Sequence, residues 1–535
     1  MNGLLSFHPD SRRVWMFPRN IRDIAPWKLY QIINVLMQCD DINQYSGEEQ
    51  KMMYRLLEDV GIKKKSDLRD KNPGGMRTYL AQLATLGLVY NDKERRTWQF
   101  TIAGEMMANN EGNPLEILQY QLLRHQYPSA YGVGPNVGID PRMKVKPFMF
   151  LIQLLHDDRI GRYLTNEDAV IPVVYGHNDG CYEFVVEKIL ELRSKGDFSL
   201  VIENPELDFY TPKGSPDKAL GNMKDIANTA INYLKAASLV LEDHSSFRKT
   251  HYIFNSAYEL LYQQFQGEKD DYIPISSKAE SISFQRAYGR YNRQKDNRNL
   301  SDSSHTKDSP SEKFATFKYI EYLNDNLFSD DTASFVASMA QYGIAQKDAM
   351  VAVNKLSGKK LSLQENTYLE YACSGGQKSD EFEKATTEIM VKLGFDKARW
   401  IGRMTSKQNW RGNFPDVFIQ RAGRSECGMA DTKATSSYSL GHSDMLKMKE
   451  TYVKSNQEIC PGSHLIYFIY IAGGFAGRIN ESLEQLEKAT GIKVSAIDAK
   501  GLLRLLERNW SPEQIEEKIF KSGEYIAYYQ IEMMK

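Results

Sequence analysis

The sequence lacks the features that would assign it at once to a class of protein. Its 68 basic and 69 acidic residues leave a net charge of −1, so overall charge does not indicate a nucleic-acid-binding protein. Any DNA-binding surface must come from local segregation of charge. No apolar run approaches the roughly 18 residues of a membrane span, and the longest, 465–472, is typical of a buried strand. The N-terminus has no signal-type apolar core, so we expect a cytoplasmic location.

Cysteine is also sparse. The five cysteines are scattered, with no CxxC pair and no histidine at zinc-ligand spacing; they are Cys39, Cys181, Cys373, Cys427 and Cys460. This distribution argues against a disulfide framework and a structural zinc site, and it fits thiols in a reducing cytoplasm.

Two segments of the N-terminal half share one pattern. In 76–107 a helical stripe ends at Gly87, and two short strands bracket a charged turn before another helix. The segment 223–261 repeats the order of helix, strand, basic turn, strand and helix. This is the layout of a winged helix, in which a helix enters the major groove and the wing contacts phosphate. A generic helix–hairpin packing unit is the alternative for each copy.

Basic residues favour the DNA-binding interpretation of these segments. They lie in both predicted turns and in a stretch before the first segment: Lys93, Arg95, Arg96, Arg248 and Lys249, and Lys63, Lys64, Lys65 and Arg69. Taken singly, such a run is usually a solvated face. Candidate base-reading segments are Arg77–Leu86 and Lys224–Lys235.

The chain length of 535 residues predicts about three to five domains. We predict an α/β multidomain protein with a winged-helix-like subdomain at 1–165 and a second at 166–270. A linker and helical connector would follow at 271–362, where polar residues dominate up to about 317. From 363 to 535 strands and helices alternate, which predicts a mixed central sheet covered on both faces.

The pattern that carries chemistry lies in 413–433. Pro415 suits the entrance of a strand, so Asp416 begins an apolar strand. A turn with Gly423 leads to a second strand that ends in Asp431-Thr432-Lys433. A hairpin of this length brings the two aspartates together, and alternation places Asp431 and Lys433 on one face.

Two converging carboxylates repel each other unless a cation lies between them. Oxygen-only ligation favours Mg²⁺, with the Thr432 carbonyl as a further ligand. Such a metal activates water and polarises a phosphate, and Lys433 would stabilise the negative charge that develops. Glu383 or Glu388, on the predicted helix 378–393, could reach the metal directly or through water, although most helix glutamates are merely exposed. A bare D-x-K is common and usually marks a solvated strand end.

These residues carry a resemblance to a known family. The segments PDVFI, GMADTKA, YSL, YVKSNQ and 464–506 resemble, in order, the cleavage domain of the FokI restriction endonuclease, of the PD-(D/E)xK class. The resemblance spans about 368 to 525. The segments 100–110 and 119–129 are similar to the recognition half of AlwI-type type IIS restriction and nicking enzymes.

The resemblance implies a Mg²⁺-dependent type IIS endonuclease that binds a short asymmetric double-stranded DNA site and cuts a fixed distance away. It assigns the acidic pair to Asp416 and Asp431, the lysine to Lys433 and the helix glutamate to Glu383. It places a dimer contact around Ser443–Ser455, although a helix that covers the core is the simpler interpretation there. It also implies a cognate methyltransferase. Because one such site cuts one strand, double-strand cleavage needs a homodimer or a separate small catalytic subunit.

Four alternatives stay open at this stage. The chain could be a strand-specific nicking enzyme or the large subunit of a heterodimeric restriction enzyme. It could be a winged-helix regulator with a non-catalytic C-terminal domain, or a nuclease without sequence specificity.

Other residues favour ordinary roles. We expect His442 to be a surface histidine and Tyr438 to lie in a flexible loop, although either could contact DNA. The segment Gly473–Arg478 lacks the Lys-Ser/Thr of a phosphate loop, so we expect its glycines to end a strand, with Arg478 possible at phosphate. Trp15, Trp27 and Trp98 are expected in cores.

Overall fold

Internal contacts divide the chain into two units. The computed structural model describes residues 13–18, 26–39, 47–63, 74–92, 97–108, 113–129, 139–202, 216–243, 250–269, 271–273, 281–289, 296–298, 308–329, 331–357, 361–404, 414–476, 479–508 and 510–534. The first unit comprises Met1–Ile320 and Ile344–Lys359, and the second comprises Glu321–Gly343 and Lys360–Lys535. The four-part division predicted from the sequence stays a prediction. Among the helices that the structure describes, none is both long enough and apolar enough to span a bilayer.

The first unit is mainly helical. Its helices are Pro26–Met37, Gly47–Asp59, Gly74–Thr85, Ile102–Ala108, Pro114–Arg124, Pro147–Leu155, Val170–Tyr175, Tyr182–Lys195, Pro216–Ala236, Glu259–Gln266, Ser281–Ala287 and Gln346–Ser357, and Pro310–Asp325 runs across the boundary between the units. Short 3₁₀ turns occupy Asp158–Ile160, Asp179–Cys181, Phe198–Leu200 and Ser256–Tyr258. The strands are β1 (Val89–Asp92), β2 (Thr97–Phe100), β3 (Val240–Asp243) and β4 (His251–Phe254).

Both helix–hairpin–helix segments predicted from the sequence are present. Strands β1 and β2 pair antiparallel between the helices Gly74–Thr85 and Ile102–Ala108. Strands β3 and β4 pair in the same way between Pro216–Ala236 and Glu259–Gln266. Most of the basic residues expected around the hairpins lie outside the described residues; these are Lys64, Lys65, Arg69, Lys93, Arg95, Arg96, Arg248 and Lys249. The element order is therefore confirmed, and DNA binding by these segments stays a prediction.

A close approach of two glycines attaches a later segment to the first hairpin. Gly87 has a φ of +67°, and a Cβ there would lie 3.0 Å from the Cα of Gly289. The Gln121 amide donates to the carbonyls of Leu86, at 2.8 Å, and Gly289, at 3.0 Å. Asn297 then accepts a hydrogen bond from the backbone of Ile102 at 2.9 Å. Part of the segment predicted as a connector thus packs within the first unit.

The tryptophans and cysteines singled out in the sequence can be compared with their positions in the structure. Trp15 and Trp27 are buried, as expected, whereas Trp98 is partly exposed. The five cysteines are free thiols.

The second unit is built on a six-stranded mixed sheet. Its strands are β5 (Arg399–Trp400), β6 (Val417–Gln420), β7 (Glu426–Thr432), β8 (His464–Ala472), β9 (Lys493–Asp498) and β10 (Tyr525–Ile526). The spatial order is β10-β9-β8-β7-β6-β5. The strands β10, β9, β8 and β7 are parallel to one another, β6 is antiparallel to β7, and β5 is antiparallel to β6. The mixed sheet predicted from the sequence is confirmed.

Helices surround this sheet. They are Thr332–Ser338, Leu361–Ala372, Ser379–Lys392, His442–Lys447, Asn456–Ile459, Ile479–Thr490, Ala499–Glu507, Pro512–Ile515 and Tyr528–Met533, with a 3₁₀ turn at Met339–Tyr342 and π-helical turns at Met448–Tyr452 and Glu516–Phe520. The strand β5 is only two residues long, because the chain turns at Gly402. One prediction needs correction. The helix expected at 443–455 changes after Lys447 to π-helical hydrogen bonding.

One face of the sheet packs into a single apolar cluster. Phe418, Met429, Phe468 and Tyr470 alternate along adjacent strands and belong to that cluster. Helical residues cover them; these include Met448, Tyr452, Leu483 and Leu486. The β6–β7 hairpin is therefore anchored at its centre by burial, which fixes the position of its ends.

Glu388 provides a test of the packing in this unit. Burial raises the pKa of its carboxyl from 4.5 to about 7, although its Oε2 accepts a hydrogen bond from the Phe328 backbone. The folded protein therefore loses stability as pH rises from about 4.5 through 7. We expect Glu388→Gln to match the wild type at pH 5 and to be more stable by about 1–3 kcal/mol at pH 8. Urea unfolding at both pH values measures this difference, and an equal difference at the two would contradict it.

Candidate active site

The β6–β7 hairpin brings the two predicted aspartates to one place. Val417 pairs with Ala430 in the antiparallel register, so Asp416 stands opposite Asp431 at the next position. The Asp416 N–H donates to the Ala430 carbonyl at 3.0 Å, which continues the ladder past the strand end. Pro415 precedes this bond, where no donor is required. The convergence expected from the sequence is confirmed.

Hydrogen bonds hold the Asp416 carboxylate in a fixed orientation. Its Oδ2 accepts bonds from the Thr432 backbone N–H at 2.6 Å and from the Thr432 hydroxyl at 2.9 Å. Its backbone carbonyl accepts bonds from Ile401 and Gly402 at 2.8 and 3.1 Å. One carboxylate oxygen is therefore committed to β7, while the other, Oδ1, faces Gly402.

Glu383 reaches the same region from the Ser379–Lys392 helix, which contacts β5, β6 and β7. Its Oε2 accepts a hydrogen bond from the Trp400 indole at 2.7 Å. A Cβ on Gly402 would lie 2.4 Å from this oxygen and 3.1 Å from Asp416 Oδ1. The two carboxylate oxygens thus converge on a gap that only glycine leaves open.

Lys433 extends from the end of β7 towards carboxylates. Its amine nitrogen lies 2.8 Å from Asp431 Oδ2 and 3.9 Å from Asp444 Oδ1. Its backbone N–H donates to the Ile471 carbonyl at 2.8 Å, which fixes the residue against β8. The Asp431 side chain is only 5% exposed, so this ion pair is shielded from water.

The charges of the site are unbalanced. Burial raises the pKa of Asp416 well above its usual value, and the carboxylates of Asp431 and Glu383 raise it further. Burial also raises the pKa of Glu383, with Asp431 adding to the effect and Trp400 opposing it. Burial lowers the pKa of Lys433, but the neighbouring carboxylates outweigh it and leave a net increase. Three carboxylates around one amine form a pocket that favours an added cation.

The donor set fits a hard divalent cation. All of the converging atoms are oxygens, which Mg²⁺ prefers. Within the described ranges, no group of three or more His, Cys, Asp or Glu residues has the spacing of a complete metal site. Mg²⁺ commonly keeps several waters and uses one or two carboxylates, so Asp416 with one neighbour suffices for this cation.

The remaining residues singled out from the sequence have different positions. Glu388 is hydrogen-bonded to Phe328 and not directed to the site. His442 is exposed, as expected. Tyr438 was expected in a flexible loop, but it is buried, because its backbone bonds to 474–476 and its hydroxyl donates to Asp444. For Thr432 the structure gives N–H and hydroxyl contacts to Asp416, and the ligand role of its carbonyl stays a prediction.

The segment Gly473–Arg478 behaves as a strand end in its described part. A Cβ on Gly473 would lie 2.7 Å from Cys373 Sγ, so glycine permits a close packing contact there. Arg478 lies outside the described residues.

Three residues of the site escape sequence reasoning. Trp400 is the last residue of the short strand β5, Gly402 lies just after that strand, and Asp444 lies in the helix after Lys433. Each matters through a tertiary contact with Glu383, Asp416 or Lys433. The only available signal is that all three lie near segments that hold predicted site residues.

One family model and several solved structures are similar to the chain. Residues 346–524 match the family model described as the FokI cleavage domain. The chain is similar to the structure of restriction endonuclease FokI, alone and bound to DNA, each at 12% identity and a TM-score of 0.27; 97% of this chain and 99% or 100% of that chain are covered. It is also similar, at 13% identity and a TM-score of 0.37, to the BpuJ1 endonuclease binding domain in complex with pyrene- and phenanthrene-modified DNA, over 53% of this chain and 99% of that chain.

The family model carries the assignment, since TM-scores this low do not establish a common arrangement. No match is found among curated proteins. The matched region contains the β6–β7 hairpin, the Ser379–Lys392 helix and Lys433. The C-terminal part of the chain is therefore similar to a FokI-type cleavage domain, which supports a nuclease.

Gly402→Ala tests the gap between the two carboxylates. The new methyl group would displace Glu383 from Trp400, because its Cβ would lie 2.4 Å from Glu383 Oε2. We expect DNA cleavage to slow by about 10- to 100-fold, the usual effect of disturbing groups that orient the ligands of a site. Single-turnover cleavage rates measure this effect.

Gly267→Ala is a matched control, since the nearest atom to a Cβ there is 3.9 Å away. We expect both variants to keep the wild-type melting temperature. If the Gly402→Ala protein is folded and cleaves at the wild-type rate, this gap is not part of the active site.

Proposed function

We propose that this nuclease is a type IIS restriction endonuclease that binds a short asymmetric double-stranded DNA site and cuts a fixed distance away. The observation that carries the proposal is the convergence of Asp416, Asp431 and Lys433 inside a region that matches the FokI cleavage domain. Two helix–hairpin–helix segments in a separate unit supply candidate DNA-binding elements. Separate recognition and cleavage units suit an enzyme that cuts beside its site.

Mg²⁺ is the proposed cofactor, held by Asp416, Asp431 and Glu383 with the Thr432 carbonyl. When bound, it would supply Lewis-acid activation of water and of the scissile phosphate. The chain's own groups have separate tasks. Thr432 keeps the Asp416 carboxylate oriented, Trp400 keeps Glu383 in place, and the Lys433 amine orients the attacking water and stabilises charge on the phosphate. In-line attack then leaves 5′-phosphate and 3′-hydroxyl ends.

Double-strand cleavage requires a second active site. We propose that it comes from a second copy of this chain or from a small catalytic subunit, through a surface around Ser443–Ser455. Leu446, in the His442–Lys447 helix, is 52% exposed and supports this assignment. A chain without a partner would nick one strand, so a strand-specific nicking enzyme or a large subunit is the second candidate. A cognate methyltransferase would protect the host DNA in the prokaryotic cytoplasm.

DNA recognition is assigned to segments and not to single residues. The Gly74–Thr85 and Pro216–Ala236 helices contain the candidate segments Arg77–Leu86 and Lys224–Lys235, except for Leu86. Arg77 and Lys224 are exposed on these helices. An AlwI-type recognition half is part of the proposal, since the resemblance of 100–110 and 119–129 supports it, and its recognition sequence is not carried over. A regulator without catalysis gains no support from the buried acidic pocket.

Asp431→Ala separates cleavage from recognition. We expect it to abolish cleavage while leaving specific DNA binding unchanged, because Asp431 is in the nuclease unit and the hairpins are in the other. Cleavage of plasmid DNA and an electrophoretic binding assay measure the two properties. Loss of both together would mean that Asp431 is structural.

Run-off sequencing of cleaved plasmid with Mg²⁺ tests the proposed function as a whole. Discrete ends at a constant offset from one asymmetric sequence are the expected result, and ends on one strand only would identify a nicking enzyme. A smear of ends would indicate a nuclease without specificity. No cleavage with Mg²⁺, Mn²⁺ or Ca²⁺ would contradict the proposal.

A further inference from the structure

Lys433 faces a second carboxylate besides Asp431. Its amine lies 2.8 Å from Asp431 Oδ2, a hydrogen-bonded ion pair, and 3.9 Å from Asp444 Oδ1, a looser one. Asp444 belongs to the His442–Lys447 helix and not to the sheet. The amine is therefore shared between carboxylates from two different structural elements.

Tyr438 determines the orientation of Asp444. Its hydroxyl donates to Asp444 Oδ2 at 2.7 Å, so it engages the oxygen that does not face Lys433. The tyrosine itself is held by its backbone, which donates to Gly474 at 2.9 Å and accepts from Ala476 at 2.8 Å. Its ring packs against Phe475, with centroids 6.1 Å apart. A buried and fixed side chain thus presents one Asp444 oxygen to the amine.

We propose that Asp444, oriented by Tyr438, is a positioning residue that holds the Lys433 amine at the scissile phosphate while Asp431 is engaged in cleavage. This inference rests on the proposed function, in which Asp431 and Lys433 act on one phosphate. As long as the amine bonds directly to Asp431, part of its donor capacity is directed away from the phosphate. An ammonium group has three donors, so a second anionic partner retains it without using all of them.

The first test measures cleavage chemistry. We expect Asp444→Asn to lower the single-turnover rate at saturating DNA and Mg²⁺ by about 10- to 100-fold, as for other groups that orient site residues. Tyr438→Phe removes only the hydroxyl and should lower the rate by about 3- to 10-fold. The double variant should be no slower than Asp444→Asn, because both changes disturb the same contact.

Controls separate positioning from a general structural effect. Glu484→Gln removes one exposed carboxylate from the same unit and should cleave at the wild-type rate. DNA affinity and the DNA concentration at half-maximal rate should stay unchanged in Asp444→Asn, while Asp444→Glu, which keeps the charge, should recover part of the rate. Higher enzyme concentration should not restore Asp444→Asn, as it would if weaker association of subunits were the cause.

The second test does not depend on activity. In a crystal structure of metal-free Asp431→Ala, the Lys433 amine should move from 3.9 Å to direct hydrogen-bond distance of Asp444. In Asp431→Ala/Asp444→Asn the amine should leave this position. An amine that points to solvent in the single variant would overturn the proposal.

The outcomes distinguish this inference from the function on which it rests. If wild-type protein cleaves DNA and Asp444→Asn cleaves equally fast, the positioning role is wrong and the nuclease assignment stands. If the wild type does not cleave under any condition, the proposed function fails. The crystal structure of Asp431→Ala then still decides whether Asp444 anchors the amine.

Discussion

The hydrogen-bonded register between β6 and β7 determines where the charged groups of the site meet. Val417 pairs with Ala430, and the next position brings Asp416 opposite Asp431. A shift of one residue would turn one aspartate to the other face of the sheet, because side chains alternate along a strand. The register is held by the buried Phe418 and by the Asp416–Ala430 backbone bond. The site therefore depends on apolar packing as much as on its own charges.

That register also creates an electrostatic cost that the rest of the unit offsets only in part. Lys433 balances Asp431 at 2.8 Å, and Thr432 gives Asp416 two hydrogen bonds. Glu383 adds a further, partly buried carboxylate whose indole partner carries no charge. Because buried carboxylates without a cation are costly, a divalent ion bound there would stabilise the arrangement. This imbalance supports the proposed Mg²⁺ cofactor.

Local sequence patterns predict the parts of the fold that depend on local rules. Apolar strands around Pro415 and Gly423 identify the hairpin, and its period places Asp431 and Lys433 together. The patterns do not identify Gly402 or Trp400, because their roles arise from contact with a distant helix. Tyr438 was misjudged for a related reason. Its serine-rich segment has the composition of a mobile loop, and the sequence does not reveal that the backbone of 474–476 pairs with it.

The His442–Lys447 helix contributes both to the contact with the Lys433 amine and to the surface proposed for a partner. It carries Asp444, which faces the Lys433 amine, and Leu446, which is half-exposed and lies in the surface proposed for a partner. Since both side chains are on one six-residue helix, a partner packed on Leu446 would also restrict the motion of Asp444. Association of two cleavage units would then steady the amine as well as supply the second active site. Through this helix, the proposed partner surface and the proposed positioning of the amine would be physically coupled.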